Sequence, residues 1–138
     1  MNARLIVASV VGAIVSFLLG WLIFGILAAN FYTANMNHFA GLDKMPPDLI
    51  ALFAANFFFA FMMAYIFDQW AKITTWMEGA KAGAWLSFLW ILSFDLFMWA
   101  FMNVLGKKVL AVDVLLNAVL GAIIGAVIAF VLGYKKAA

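Results

Sequence analysis

Leu115-Leu116-Asn117-Ala118-Val119-Leu120-Gly121-Ala122-Ile123-Ile124-Gly125-Ala126-Val127-Ile128-Ala129-Phe130-Val131-Leu132 runs without a single charge. A barrel strand would alternate polar and apolar residues, and this stretch does not. A run so apolar satisfies its backbone groups in lipid only as a helix. About 20 such residues cross a bilayer, and with its flanks the stretch predicts a span over 114–134.

Three more runs read the same way, over 5–29, 49–67 and 82–105. Of the 138 residues, 70% are hydrophobic and 10% charged, against about 45–50% and about 25% in soluble domains. A soluble domain this small could not hide that much apolar surface. With no Cys, 2 Pro and 17% aromatics, a disulfide scaffold, collagen and disorder are also excluded. The fold class expected is all-α, a single integral membrane domain built as a four-helix bundle. The first apolar run exceeds the roughly 7–15 residues of a signal-peptide core, so it is expected to be retained as a helix.

The longest link, 30–48, carries Asn30, Asn35, Asn37, His38, Asp43 and Lys44 before Pro46-Pro47. Pro47-Asp48 makes a suitable helix start. Arg4, Lys72, Lys81, Lys135 and Lys136 fall on one side of the bilayer, and Lys44, Lys107 and Lys108 on the other. The excess favours both termini in the cytoplasm, as in a multi-pass protein of the bacterial inner membrane. The net charge of +2 is too small to argue for nucleic acid.

The two halves look related. Gly12-Ala13-Ile14-Val15-Ser16-Phe17-Leu18 aligns with Gly83-Ala84-Trp85-Leu86-Ser87-Phe88-Leu89, and Asp48-Leu49-Ile50 with Asp113-Val114-Leu115. This predicts two parallel helix-pair repeats. Small residues at every fourth position, Gly12, Ser16 and Gly20, then Gly83, then Gly121 and Gly125, are the expected helix-packing positions. Ala118, Ala122 and Ala126 form a second small row that could face another copy.

The alignment sets Asp95 where the first half has Phe24. A charged Asp at the bilayer centre costs about 2.5–3.5 kcal/mol, and such groups usually face the bundle and serve function. The expected intramembrane polar site is Asp95 with the amides Asn56 and Asn117, together with Ser87 and Trp99; Asn103 is placed on the same broad face. No second acid is expected at that depth. A neutral structural link is the alternative role for Asp95, but interhelical hydrogen bonds average only about 0.6 kcal/mol. Asp68 and Lys72 are read as a helix-end ion pair.

No Walker motif, G-x-S-x-G or H-E-x-x-H occurs. A lone loop His beside Asp43 is a poor metal site, so no metal, cofactor or catalytic residue is expected. Phe17-Leu18-Leu19-Gly20-Trp21-Leu22-Ile23-Phe24-Gly25, the Pro46-Pro47 loop, and Trp90 with Asn103 resemble small bacterial four-helix membrane proteins grouped as a domain of unknown function. The resemblance implies the architecture and no particular activity. Small multidrug exporters of similar size place their essential acid in the first helix, where this chain has none.

Three functions are therefore in view. The first is a non-enzymatic subunit that binds lipid or a partner, as a homo-oligomer or within a larger membrane complex. The second is a proton- or cation-coupled carrier or pore using Asp95. The third is an enzyme acting on a lipid or quinone.

Overall fold

The computed structural model describes residues 2–134; the Lys135-Lys136 pair lies outside them. Helix α1 covers Ala3–Leu22 and runs into a π-helical turn, Ile23–Leu27. The short α2 covers Ala29–Asn35, inside the segment expected to be a loop. Helix α3 covers Leu49–Tyr65 and also ends in a π-helical turn, Ile66–Ala71. Helices α4, Trp76–Phe101, and α5, Lys107–Gly133, complete the chain, and no strand occurs among the described residues. Four of these helical stretches are long and apolar enough to cross a membrane.

The helices outrun the apolar stretches because their ends obey capping chemistry, not hydropathy. Thr75 caps α4, accepting from the Glu78 amide at 3.4 Å while its hydroxyl donates to the Glu78 carboxylate at 2.8 Å. This starts α4 at Trp76 rather than at residue 82. Asn2 accepts from the Leu5 amide at 2.8 Å, and Asp48 from the Ala51 amide at 3.0 Å. Helix α5 begins at Lys107, so Asn117 lies in its third turn instead of its first. Helix α4 stops at Phe101, which leaves Asn103 in the link and off the face that carries Asp95.

In space α3 packs on α1, α1 on α5, and α5 most extensively on α4. The α4–α5 seam is the closest. A Cβ on Gly83 would overlap the Gly121 carbonyl oxygen, and one on Gly125 the Gly79 carbonyl oxygen. Gly12 is less tightly enclosed: a Cβ there would meet Ile128 side-chain atoms at 2.8 and 2.9 Å and the Ala60 Cβ at 3.2 Å. Gly20 differs from the packing role expected of it, since a Cβ there would meet nothing within 4 Å.

The paired halves share a contact pattern. The alignment that sets Asp48 beside Asp113 also sets Asn56 beside Gly121. Ser16 meets Asn56 in one helix pair, and Ser87 meets Gly121 in the other. Gly12 likewise meets Ala60 where Gly83 meets Gly125.

The core lies at one end. Leu5, Ala8, Ala13, Ala60, Met63, Phe67, Ile124, Ile128 and Leu132 close the half of the bundle that holds the start of α1 and the end of α5. There Arg4 donates to the Leu132 carbonyl at 3.3 Å, a cation placed at the negative end of α5. The expected Asp68–Lys72 ion pair is not formed. Lys72 donates to the Asp68 carbonyl at 3.0 Å, and the carboxylate accepts from Gln69 at 2.5 Å and from Asn2 at 3.5 Å. Lys72 has left-handed backbone, φ 55°, which turns the chain out of the π turn so that its ammonium folds back over Asp68.

Candidate functional site

Toward the other end lies a partly open cavity of about 890 Å³, with Phe17, Phe24, Phe59, Trp90 and Phe94 among its walls. All four long helices line it, and its surface is overwhelmingly apolar. Four polar side chains reach it: Ser16, Asn56, Ser87 and Asn117. The Ser16 hydroxyl donates to the Asn56 carbonyl oxygen, and the Asn56 amide donates to the Leu52 carbonyl at 2.8 Å. Asn117 donates to the Asp113 carbonyl at 2.9 Å. The Ser87 hydroxyl is buried with no hydrogen-bond partner.

The π turn Ile23–Leu27 borders this cavity through Phe24 and Gly25. A π turn inserts a residue into the helical repeat and so re-aims the side chains beyond it, a device common at functional sites. Here it leads into α2, whose Tyr32 reaches α5. The segment after α2 is tied to the α4–α5 link: Asn37 donates from its backbone to the Val104 carbonyl at 2.9 Å and from its side chain to the Asn103 carbonyl at 2.7 Å.

Beside the cavity, sharing Phe24 and Phe94 with it, is a second recess of about 370 Å³. It is lined by Asp95 from α4 and Asp113 from α5, with Tyr32, Met36, Met98 and Val109. Tyr32 Oη donates to Asp113 Oδ1 at 2.5 Å. Asp95 is only 4% exposed, and its Oδ2 has no partner.

The polar site thus differs from the one expected. Asp95 meets neither Asn56 nor Asn117 in a hydrogen bond; its neighbour is a second acid. Asp113 sat in a presumed link, but α5 begins six residues earlier and carries it inward as a wall of the recess. Asn56 serves α1, and Asn117 binds its own helix. Trp99 is exposed, with the Lys107 ammonium 5.8 Å from its ring centre. Sequence reasoning missed Asp113 and Tyr32. The available signal was the helical spacing from the Gly121 stripe back to Asp113, eight residues and so about two turns away, on the same face of α5.

Burial is the first cause that pushes the Tyr32 phenol above its ordinary range, and the hydrogen bond to Asp113 and its negative charge add to it. A raised value in the fold means that the unfolded chain loses this proton first. The stabilisation is therefore complete below about pH 10 and declines above it. Raising the pH from 8 to 11 should give the same phenolate absorbance change in wild type and Tyr32→Phe, because Tyr32 contributes none while folded. A smaller change in the variant would show a freely titrating Tyr32 and break the assigned hydrogen bond.

His38 meets the Thr33 carbonyl at 2.8 Å, and no three His, Cys, Asp or Glu side chains gather as a metal site among the described residues. No protein-family model, curated protein or solved structure matches the chain. What fold and site define together is a class: an all-helical protein with four span-length apolar helices, an apolar cavity between two helix pairs, and a carboxyl-lined recess beside it.

Proposed function

We propose that this is a multi-pass protein of the bacterial inner membrane with both termini in the cytoplasm, and that it binds a lipid-like molecule without transforming it. The membrane reading is supported by four span-length apolar helices and by large apolar side chains left exposed along them, Trp70, Trp76, Trp85 and Trp99 among them. Helices rather than strands, and the excess of basic residues on one side, support the membrane and the orientation.

The observation that carries the binding reading is the cavity. Its volume falls within the roughly 300–1,000 Å³ of small-molecule sites, and its apolar walls with a few polar groups have the usual composition of such sites. The outer aromatic faces of α3 and α4 are left to lipid or to neighbouring subunits of an oligomer or larger complex.

Gly20 gives the test. Gly20 lines the cavity, and a Cβ there meets nothing within 4 Å. Calorimetric titration with 4-phenylbutanol, on protein in zwitterionic nanodiscs and with empty nanodiscs subtracted, should give saturable binding. Gly20→Leu should weaken it at least tenfold, about 1.4 kcal/mol, while stability is kept. Equal affinity in the two proteins would remove the cavity as a binding site.

A second reading has its own support. The buried, unpartnered Oδ2 of Asp95 suits a proton- or cation-coupled carrier, since intramembrane acids commonly mark ion pathways. Under it, solute uptake by proteoliposomes driven by a proton or cation gradient stops in Asp95→Asn, whereas a binding protein shows no gradient-driven uptake in either form.

A further inference from the structure

The recess beside the cavity holds an arrangement that the binding of an apolar body alone does not require. Two acids from different helices, Asp95 and Asp113, line it together. Neighbouring carboxylates repel unless a proton or a cation stands between them. Tyr32 satisfies one oxygen of Asp113. Asp95 Oδ2, on a side chain more than nine-tenths buried, accepts from nothing. A buried acceptor without a donor is costly, of order 1–3 kcal/mol, so this oxygen marks where a donor is missing.

The nearby lysines do not supply it. Lys107 lies over the Trp99 ring at 5.8 Å and Lys108 over the Phe31 ring at 5.6 Å. The other walls are chosen for a soft cation. Phe24 and Tyr32 stand edge to face with centres 5.7 Å apart, Phe94 lines the recess with them, and Met36 and Met98 complete it. Aromatic faces attract ammonium groups, most strongly where water is excluded. A small hard metal ion would want more oxygen ligands than two carboxylates and a phenol.

We propose that the Asp95–Asp113 recess binds the protonated amine of an amphipathic ligand whose apolar body fills the adjoining cavity. The amine donates to Asp95 Oδ2 and lies against Phe24, Tyr32 and Phe94; its positive charge relieves the repulsion between the two carboxylates. Phe24 and Phe94 border both spaces, so one molecule a few carbons long reaches from one to the other. This proposal deepens the lipid-like binding reading and rests on it.

The test compares 4-phenylbutylammonium with 4-phenylbutanol by calorimetry in zwitterionic nanodiscs, at neutral pH. The ammonium should bind wild type at least tenfold more tightly than the alcohol. Asp95→Asn and Asp113→Asn should each bring the ammonium down to the affinity of the alcohol and leave the alcohol unchanged. Tyr32→Leu, which removes a ring that lines the recess but not the cavity, should weaken the ammonium several-fold and the alcohol little, which keeps the test decisive if an Asp variant fails to fold. Equal affinities for the two probes in wild type would mean that the recess holds only a proton, and would overturn the proposal. Ammonium affinity unaffected by all three substitutions would overturn it as well. Ammonium binding with no alcohol binding, lost in Asp95→Asn, would keep the recess and remove the cavity reading; binding of neither would remove both.

Discussion

Gly83→Ala should destabilise the protein by up to about 3 kcal/mol, the upper end of what overpacking costs. The neighbour of the added methyl is the Gly121 carbonyl, with the Gly125 Cα at 2.9 Å, so the obstacle is backbone. A side chain could rotate away; a carbonyl in a helix cannot. The methyl therefore separates α4 from α5, and every contact along the seam loosens. Between apolar helices in lipid those contacts are the main source of association, because burial from lipid gains little.

Gly12→Ala should cost less, about 1 kcal/mol, since it meets the flexible end of Ile128. Gly20→Ala should cost nothing and gain up to about 1 kcal/mol of helix propensity. A reversible denaturation series in mixed micelles, with the three variants beside wild type, checks the order. Gly83→Ala at wild-type stability would mean that α4 and α5 stand further apart than the structure has them.

Phe67→Ala should be the most damaging truncation. Phe67 is the largest of the fully buried side chains among the described residues, and it sits in the closed end of the bundle. In water the usual loss for such a change is about 3–5 kcal/mol. In a bilayer the transfer part largely vanishes, because lipid tails solvate a phenyl ring as well as the core does. The cavity part survives: at about 24 cal/mol per Å³, a vacated phenyl ring leaves a cost of about 2 kcal/mol. Phe58→Ala removes the same atoms from a position 66% exposed and leaves no cavity, so it should change stability by less than about 0.5 kcal/mol. Equal effects of the two truncations would show that ring area rather than packing sets stability here.

The contrast between these rings defines what could be read in advance. The second span carries six Phe, and hydropathy alone does not separate Phe67 from Phe58. Periodicity did better with the small residues. Gly83, Gly121 and Gly125 announce a close seam through their spacing, while Gly20 obeys the same spacing and borders empty space. A stripe of small residues records that backbones can approach; the partner helix decides whether they do.

The amino-acid sequence by itself determined the class of fold. Hydrophobic content and run length depend on composition over about 20 residues, and the backbone in apolar surroundings has one way to satisfy itself. It also determined that Asp95 is exceptional, since a buried acid stands out against an apolar helix whatever surrounds it. The tertiary structure decided the rest. Capping at Thr75 moved the start of α4 outward, and the start of α5 at Lys107 drew Asp113 into that helix. The crossing of the helices then set Asp113, Tyr32 and Asp95 around one recess, although 81 residues separate Tyr32 from Asp113. Such a site rests on which helix faces meet and at what height, and no local pattern encodes either.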